Sequence, residues 1–214
     1  MSGRLARVNE EFGRMQGEFG ASELDAICGG GCVESPRVVL VFMNPTKRNV
    51  AATKSWQGIK APWIGTKDVW GILAEVGLFK RELVEKIRGM RAQDWTEGFA
   101  GEVYDCVAAK GCYVTNLAKC TQVDARELPN EVFERYRDLF FEEMRAVGAK
   151  KVVLFGNQVS SVVLGEEVMV SKCRRRKFER EGIDFYAVYY PVGNGRFNVG
   201  KAVEDLGWIL EERV

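Results

Sequence analysis

Four short apolar runs rich in β-branched residues punctuate the chain, at 37–43 (RVVLVFM), 112–116 (CYVTN), 151–155 (KVVLF) and 184–190 (DFYAVYY). Their length suits strands, and their near-continuous apolar character suits strands buried on both faces, as in parallel sheets. Between them lie segments of helical periodicity at 66–76, 81–88, 128–147, 157–164 and 199–212, and one more at 5–19 precedes the first run. Strands alternating with helices predict an α/β fold, three layers (α/β/α) around a central four-stranded parallel sheet. No repeat or low-complexity linker divides the 214 residues. Residues 1–214 therefore read as one domain, with an N-terminal helix and a Cys-containing loop over 1–35.

Ligands of open parallel sheets sit beyond the carboxyl ends of the strands. Four loops occupy that end: Asn44-Pro45-Thr46, Asn116 to Cys120, Gly156-Asn157-Gln158, and Pro191 to Asn198. They are expected to converge on one site. The chain has no histidine, which removes His general bases, His triads and His metal ligands together. Chemistry must then run on carboxylates, amides, hydroxyls, thiols, backbone groups or a bound water. With a net charge of +1, affinity for nucleic acid has to come from local clusters of Lys and Arg. No apolar run approaches the roughly 18–20 residues of a membrane span, and no signal peptide is evident. The expectation is a cytoplasmic protein with no membrane partner, its six cysteines reduced.

Four fragments carry more specific information: Met43-Asn44-Pro45-Thr46, Pro62-Trp63-Ile64-Gly65, Thr115-Asn116-Leu117-Ala118-Lys119-Cys120, and Tyr190-Pro191-Val192-Gly193-Asn194-Gly195-Arg196-Phe197. In this order and spacing the chain resembles the uracil-DNA glycosylase superfamily from about residue 37 to residue 206. Its layout is nearest the iron–sulfur branch, with an Asn-type first motif and Tyr190 where most branches carry His. The resemblance implies a monofunctional enzyme of DNA base-excision repair, working as a nucleoid-associated monomer. It would hydrolyse the N-glycosidic bond of uracil or another deaminated base flipped out of DNA.

Roles follow by position in the motifs. Asn44 would hold the attacking water, and Tyr190 and Asn194 would donate to the departing base. A carboxamide cannot act as a strong base, so Asn44 implies water positioning. Met43 would offer its backbone amide, Trp63 a stacking face, and Asn116 an amide that reads the base edge. Arg196 or Phe197 would be the wedge that fills the gap left in the duplex. Phosphates would meet Lys47 and the run Lys172, Arg174, Arg175 and Arg176, extended by Arg48, Lys54 and Lys60.

The departures keep alternatives open. Tyr190 in place of His also fits a catalytically inactive DNA-binding module of the same fold. Cys28, Cys32 and Cys120 match three ligand positions of an iron–sulfur cluster, but the fourth has no cysteine and Tyr136 is the nearest residue. A cluster normally takes four thiolates, so buried reduced thiols and no cofactor are favoured over a cluster. A thiol redox role for Cys28 and Cys32 lacks the usual spacing and context.

Overall fold

The computed structural model describes residues 3–125 and 128–212, with the side chain of Asn194 outside the description. In chain order it comprises α1 (Gly3–Phe19), β1 (Gly30–Gly31), β2 (Val38–Phe42), α2 (Trp70–Glu75), α3 (Arg81–Gly89), α4 (Glu97–Ala109), β3 (Cys112–Asn116), α5 (Asn130–Val147), β4 (Lys151–Phe155), α6 (Asn157–Leu164), α7 (Val170–Cys173), β5 (Lys177–Arg180), β6 (Ile183–Val188) and α8 (Val199–Glu211).

The expected four parallel strands are present as the consecutive set β3-β2-β4-β6. The expectation of a four-stranded, all-parallel sheet is corrected, however. The sheet has six strands in the order β1-β3-β2-β4-β6-β5, and both edge strands pair antiparallel. Each edge strand escapes sequence periodicity for its own reason. β1 is a Gly-Gly pair set antiparallel opposite Tyr113 and Val114, whereas β5 carries three charged residues and a single buried Phe178. Such an edge is partly protected by its charges.

Every residue of β2, β3 and β4 is buried, because helices cover both faces of the sheet. Val38, Leu40 and Phe42 point into one core with Trp70 of α2, Leu83 of α3, Phe99 of α4 and Leu206 of α8. Val39 and Val41 point into the other with Phe12 of α1, Phe140 of α5 and Val159 of α6. This two-sided burial is why the strands read as unbroken apolar runs. α4 is an element the periodicity did not single out. No described helix is long and apolar enough to cross a membrane.

The chain leaves β2 toward one face and β3 toward the other, since α2 and α5 belong to opposite cores. A crevice opens where neighbouring strands send their connections to opposite sides. At that point the chain builds a cavity.

Candidate functional site

A cavity of about 520 Å³ lies at the carboxyl ends of β2, β3 and β6, and Asn44, Trp63, Asn116 and Tyr190 all line it. Backbone pairing carries the first two loops there together. Phe42 is in register with Asn116, and beyond the strands Leu117 and Ala118 donate to the carbonyls of Phe42 (2.7 Å) and Met43 (3.0 Å). Farther on, Gln122 donates to Pro45 at 3.0 Å and Lys47 to Gln122 at 2.8 Å. Asn44 and Asn116 are therefore neighbours on a continued ladder.

The long excursion after Thr46 is closed by Asn49. Its carboxamide accepts from Ala51 (3.1 Å) and donates to the carbonyl of Ala61 (2.7 Å), while Val50 donates to Ile64 at 3.0 Å. These bonds return Pro62 and Trp63 to the cavity. Trp63 takes a left-handed backbone (φ 68°), and Gly65 follows at φ 88°. A bulky residue in that region is strained and is tolerated where its surroundings fix it. Here the Trp63 carbonyl accepts from both the backbone and the hydroxyl of Thr66, at 3.1 and 2.9 Å.

Phe42, a core residue, links the aromatic side chains of the lining. Its ring stacks on Phe155 at 4.4 Å and takes the edge-on contacts of Trp63 at 4.9 Å and Tyr190 at 6.3 Å. The Trp63 indole Nε1 and the Asn116 Nδ2 are buried with no hydrogen-bond partner among the described residues. A buried donor without a partner carries a desolvation cost. Burial pushes the Tyr190 hydroxyl up to about 12, with the charge of Asp68 adding and that of Arg48 opposing. Tyr190 is thus a proton-bearing donor throughout the neutral range. Asn44 donates to the Pro45 carbonyl at 3.2 Å, and Met43 also lines the cavity.

The rim from Gly193 to Asn198 is a 3-10 turn. Gly195 is required there, because a Cβ at this position would lie 1.8 Å from the Tyr190 carbonyl oxygen. Phe197 stands on this turn 82% exposed, with the Arg196 guanidinium over its ring at 5.1 Å. The expected role of Asn194 falls on a side chain outside the description.

Other expectations are redistributed. The Gly156-Asn157-Gln158 loop does not join the cavity lining. Asn157 instead accepts from the Val170 amide at 3.0 Å, and Gln158 donates to Asn130 at 2.9 Å. The cationic run at 172–177 is largely engaged within the chain. Arg174 grips the fully buried carboxylate of Asp205 at 2.8 and 2.9 Å and reaches Glu204 at 3.0 Å. Arg175 adds a bond to Asp205 at 3.1 Å. Both arginines are thus engaged with Asp205 of α8, Arg174 through the larger set of bonds. Arg176 lies over Phe178 at 4.8 Å and Lys172 is exposed; these two, with the exposed Lys47, keep their charge outward.

Among the described residues no three Cys, His, Asp or Glu side chains gather as metal ligands. Tyr136 takes the place beside Cys120, where a fourth thiolate would be needed. Burial raises the Cys28 thiol to about 11, away from the thiolate that redox chemistry requires.

Two features had no sequence signal. Asp68 and Arg48, 3.5 Å apart, put an ion pair into the cavity lining; an isolated Asp in a loop predicts nothing by itself. Behind the cavity lies a buried pair, Lys119 and Glu143, at 2.7 Å and wholly shielded from solvent. Glu143 also accepts from Tyr113 (2.9 Å) and Thr115 (2.8 Å). Lys119 donates in addition to the Asn116 carbonyl and lies over the Phe12 ring at 4.5 Å. The pair clamps the turn that carries Asn116. Compared with protein-family models and with curated protein sequences, the chain matches none.

Proposed function

We propose that this chain is a monofunctional DNA glycosylase, hydrolysing the N-glycosidic bond of uracil or another deaminated base turned out of DNA into the cavity of a three-layer α/β/α domain. The observation that carries the reading is the joint presence of Asn44, Trp63, Asn116 and Tyr190 in the lining of one cavity. These four come from three loops, and each holds a position in the motifs that resemble the uracil-DNA glycosylase superfamily. Departure of the base builds negative charge on its carbonyl oxygens, and fixed donors aimed at that charge lower the barrier. Tyr190, protonated at neutral pH, and the orphaned Asn116 amide are such donors. Trp63 offers its ring to the base, and Asn44 holds a water toward the sugar. Phe197, exposed at the cavity rim, supplies the wedge.

Labelled single- and double-stranded oligonucleotides, each with one uracil or hypoxanthine, provide the test. After incubation and alkali treatment, strand scission above the level of Asn44→Ala supports the reading. DNA that is bound but never cut replaces it with a catalytically silent binding module.

A further inference from the structure

Hydrolysis consumes a water, and its proton has to go somewhere. Asn44 has no basic lone pair to take it, and Asn49 is fully occupied in closing its loop. Thr46, Thr66 and Asn116 offer only hydroxyls and an amide, and the chain holds no histidine. Among the described residues of the lining, one carboxylate remains. Asp68 lies in the loop between Trp63 and α2 with its side chain 37% exposed, and its one partner among the described residues is Arg48. It lines the same cavity as Asn44.

We infer that Asp68 is a further catalytic residue of this site, accepting the proton of the attacking water and facing the positive charge that builds on the sugar. The inference rests on the base-excision reading above. In the step, the C1′–N bond breaks and its electron pair leaves with the base. The water oxygen bonds to C1′, and the proton it loses passes to the Asp68 carboxylate. The base then takes a proton from solvent, leaving an abasic sugar and a free base. Arg48 is 73% exposed and 3.5 Å from Asp68, a loose pairing of the kind that contributes little in water. It is free to turn to a DNA phosphate as the nucleic acid docks, which leaves Asp68 unpaired when substrate is present.

The test follows an oligonucleotide that the wild-type chain cuts, under single-turnover conditions, with DNA affinity measured separately. Asp68→Asn should slow excision by about 10²- to 10³-fold, within the range of general-base loss, while affinity for uncut DNA and the melting curve stay as in the wild type. Formate should restore part of the rate to Asp68→Ala, a result that only a folded site lacking a carboxylate can give. Arg48→Gln should weaken DNA retention with a smaller effect on the bound-state rate. An active wild type with an unslowed Asp68→Asn, or no formate rescue, overturns this inference alone. A wild-type chain that excises no base overturns the base-excision reading and this inference with it.

Discussion

Replacing Lys119 by Met should cost the chain a large share of its stability, and the structure sets the size. Lys119 and Glu143 are both completely buried. Removing the ammonium leaves a carboxylate in the core with only the hydroxyls of Tyr113 and Thr115 to hold it. Breaking a buried pair from one side costs about 3–5 kcal/mol. For a chain of this length each kcal/mol is worth about 2–4 °C, so the melting temperature should fall by roughly 6–20 °C. Thermal and urea denaturation measure this directly. The exposed Lys86–Glu102 pair, 52% and 53% accessible, is the control, and Lys86→Met should change stability by no more than about 1 kcal/mol. Lys119→Met with Glu143→Leu should recover part of the loss, because the stranded charge is gone. A Lys119→Met chain that melts within about 2 °C of wild type would refute the claim that this pair supports the Asn116 turn.

The same logic predicts that Arg174→Ala acts on folding. Asp205 is fully buried and keeps only Arg175, so urea melts should show a loss of about 2–3 kcal/mol, with DNA retention falling less than for Lys172→Ala or Arg176→Ala. A fall in DNA affinity without loss of stability would reverse the assignment. For Tyr190, burial raises the folded value from 10.0 to about 12. A raised value means stability that is whole below about pH 10 and is lost as pH climbs toward 12. Tyr190→Phe should flatten the stability profile in that window. The hydroxyl stays protonated through the neutral range, so excision should show no decline between pH 7 and 9 attributable to this residue. A rate that falls there in the wild type and not in Tyr190→Phe would disprove it.

What could be read from the sequence divides along a physical line. Parallel strands buried on both faces must be apolar throughout, which is why β2, β3, β4 and β6 stood out. Edge strands face no such demand. β1 is two glycines and β5 buries one side chain, so both depend on a neighbour that periodicity cannot see. α4 was hidden by Gly98 and Gly101, which weaken a helical signal, although Phe99, Val103 and Cys106 bury one side of it. Asn44, Asn116 and Tyr190 were legible because each sits in a short motif at a strand end, where local spacing and spatial position coincide, and Trp63 because it stands in a Pro-Trp-Ile-Gly motif within the excursion after β2. Asp68 reaches the same cavity only through the path of a 20-residue excursion from Arg48, closed by Asn49.

Charge was least legible of all, and in both directions. The run from Lys172 to Lys177 looked like a surface for phosphates, yet Glu204 and Asp205 arrive from α8 to meet two of its arginines. Glu143 reads as one more surface acid of an amphipathic helix, yet it is buried against a lysine 24 residues earlier. In each case the partner is distant in sequence, and an ion pair leaves no periodicity behind. A desolvated charge persists only where its partner is geometrically guaranteed. The fold places one such guarantee at the Asn116 turn and another between the basic turn and α8. Asp68 and Arg48 in the cavity lining, 3.5 Å apart and partly exposed, form a looser pair than either.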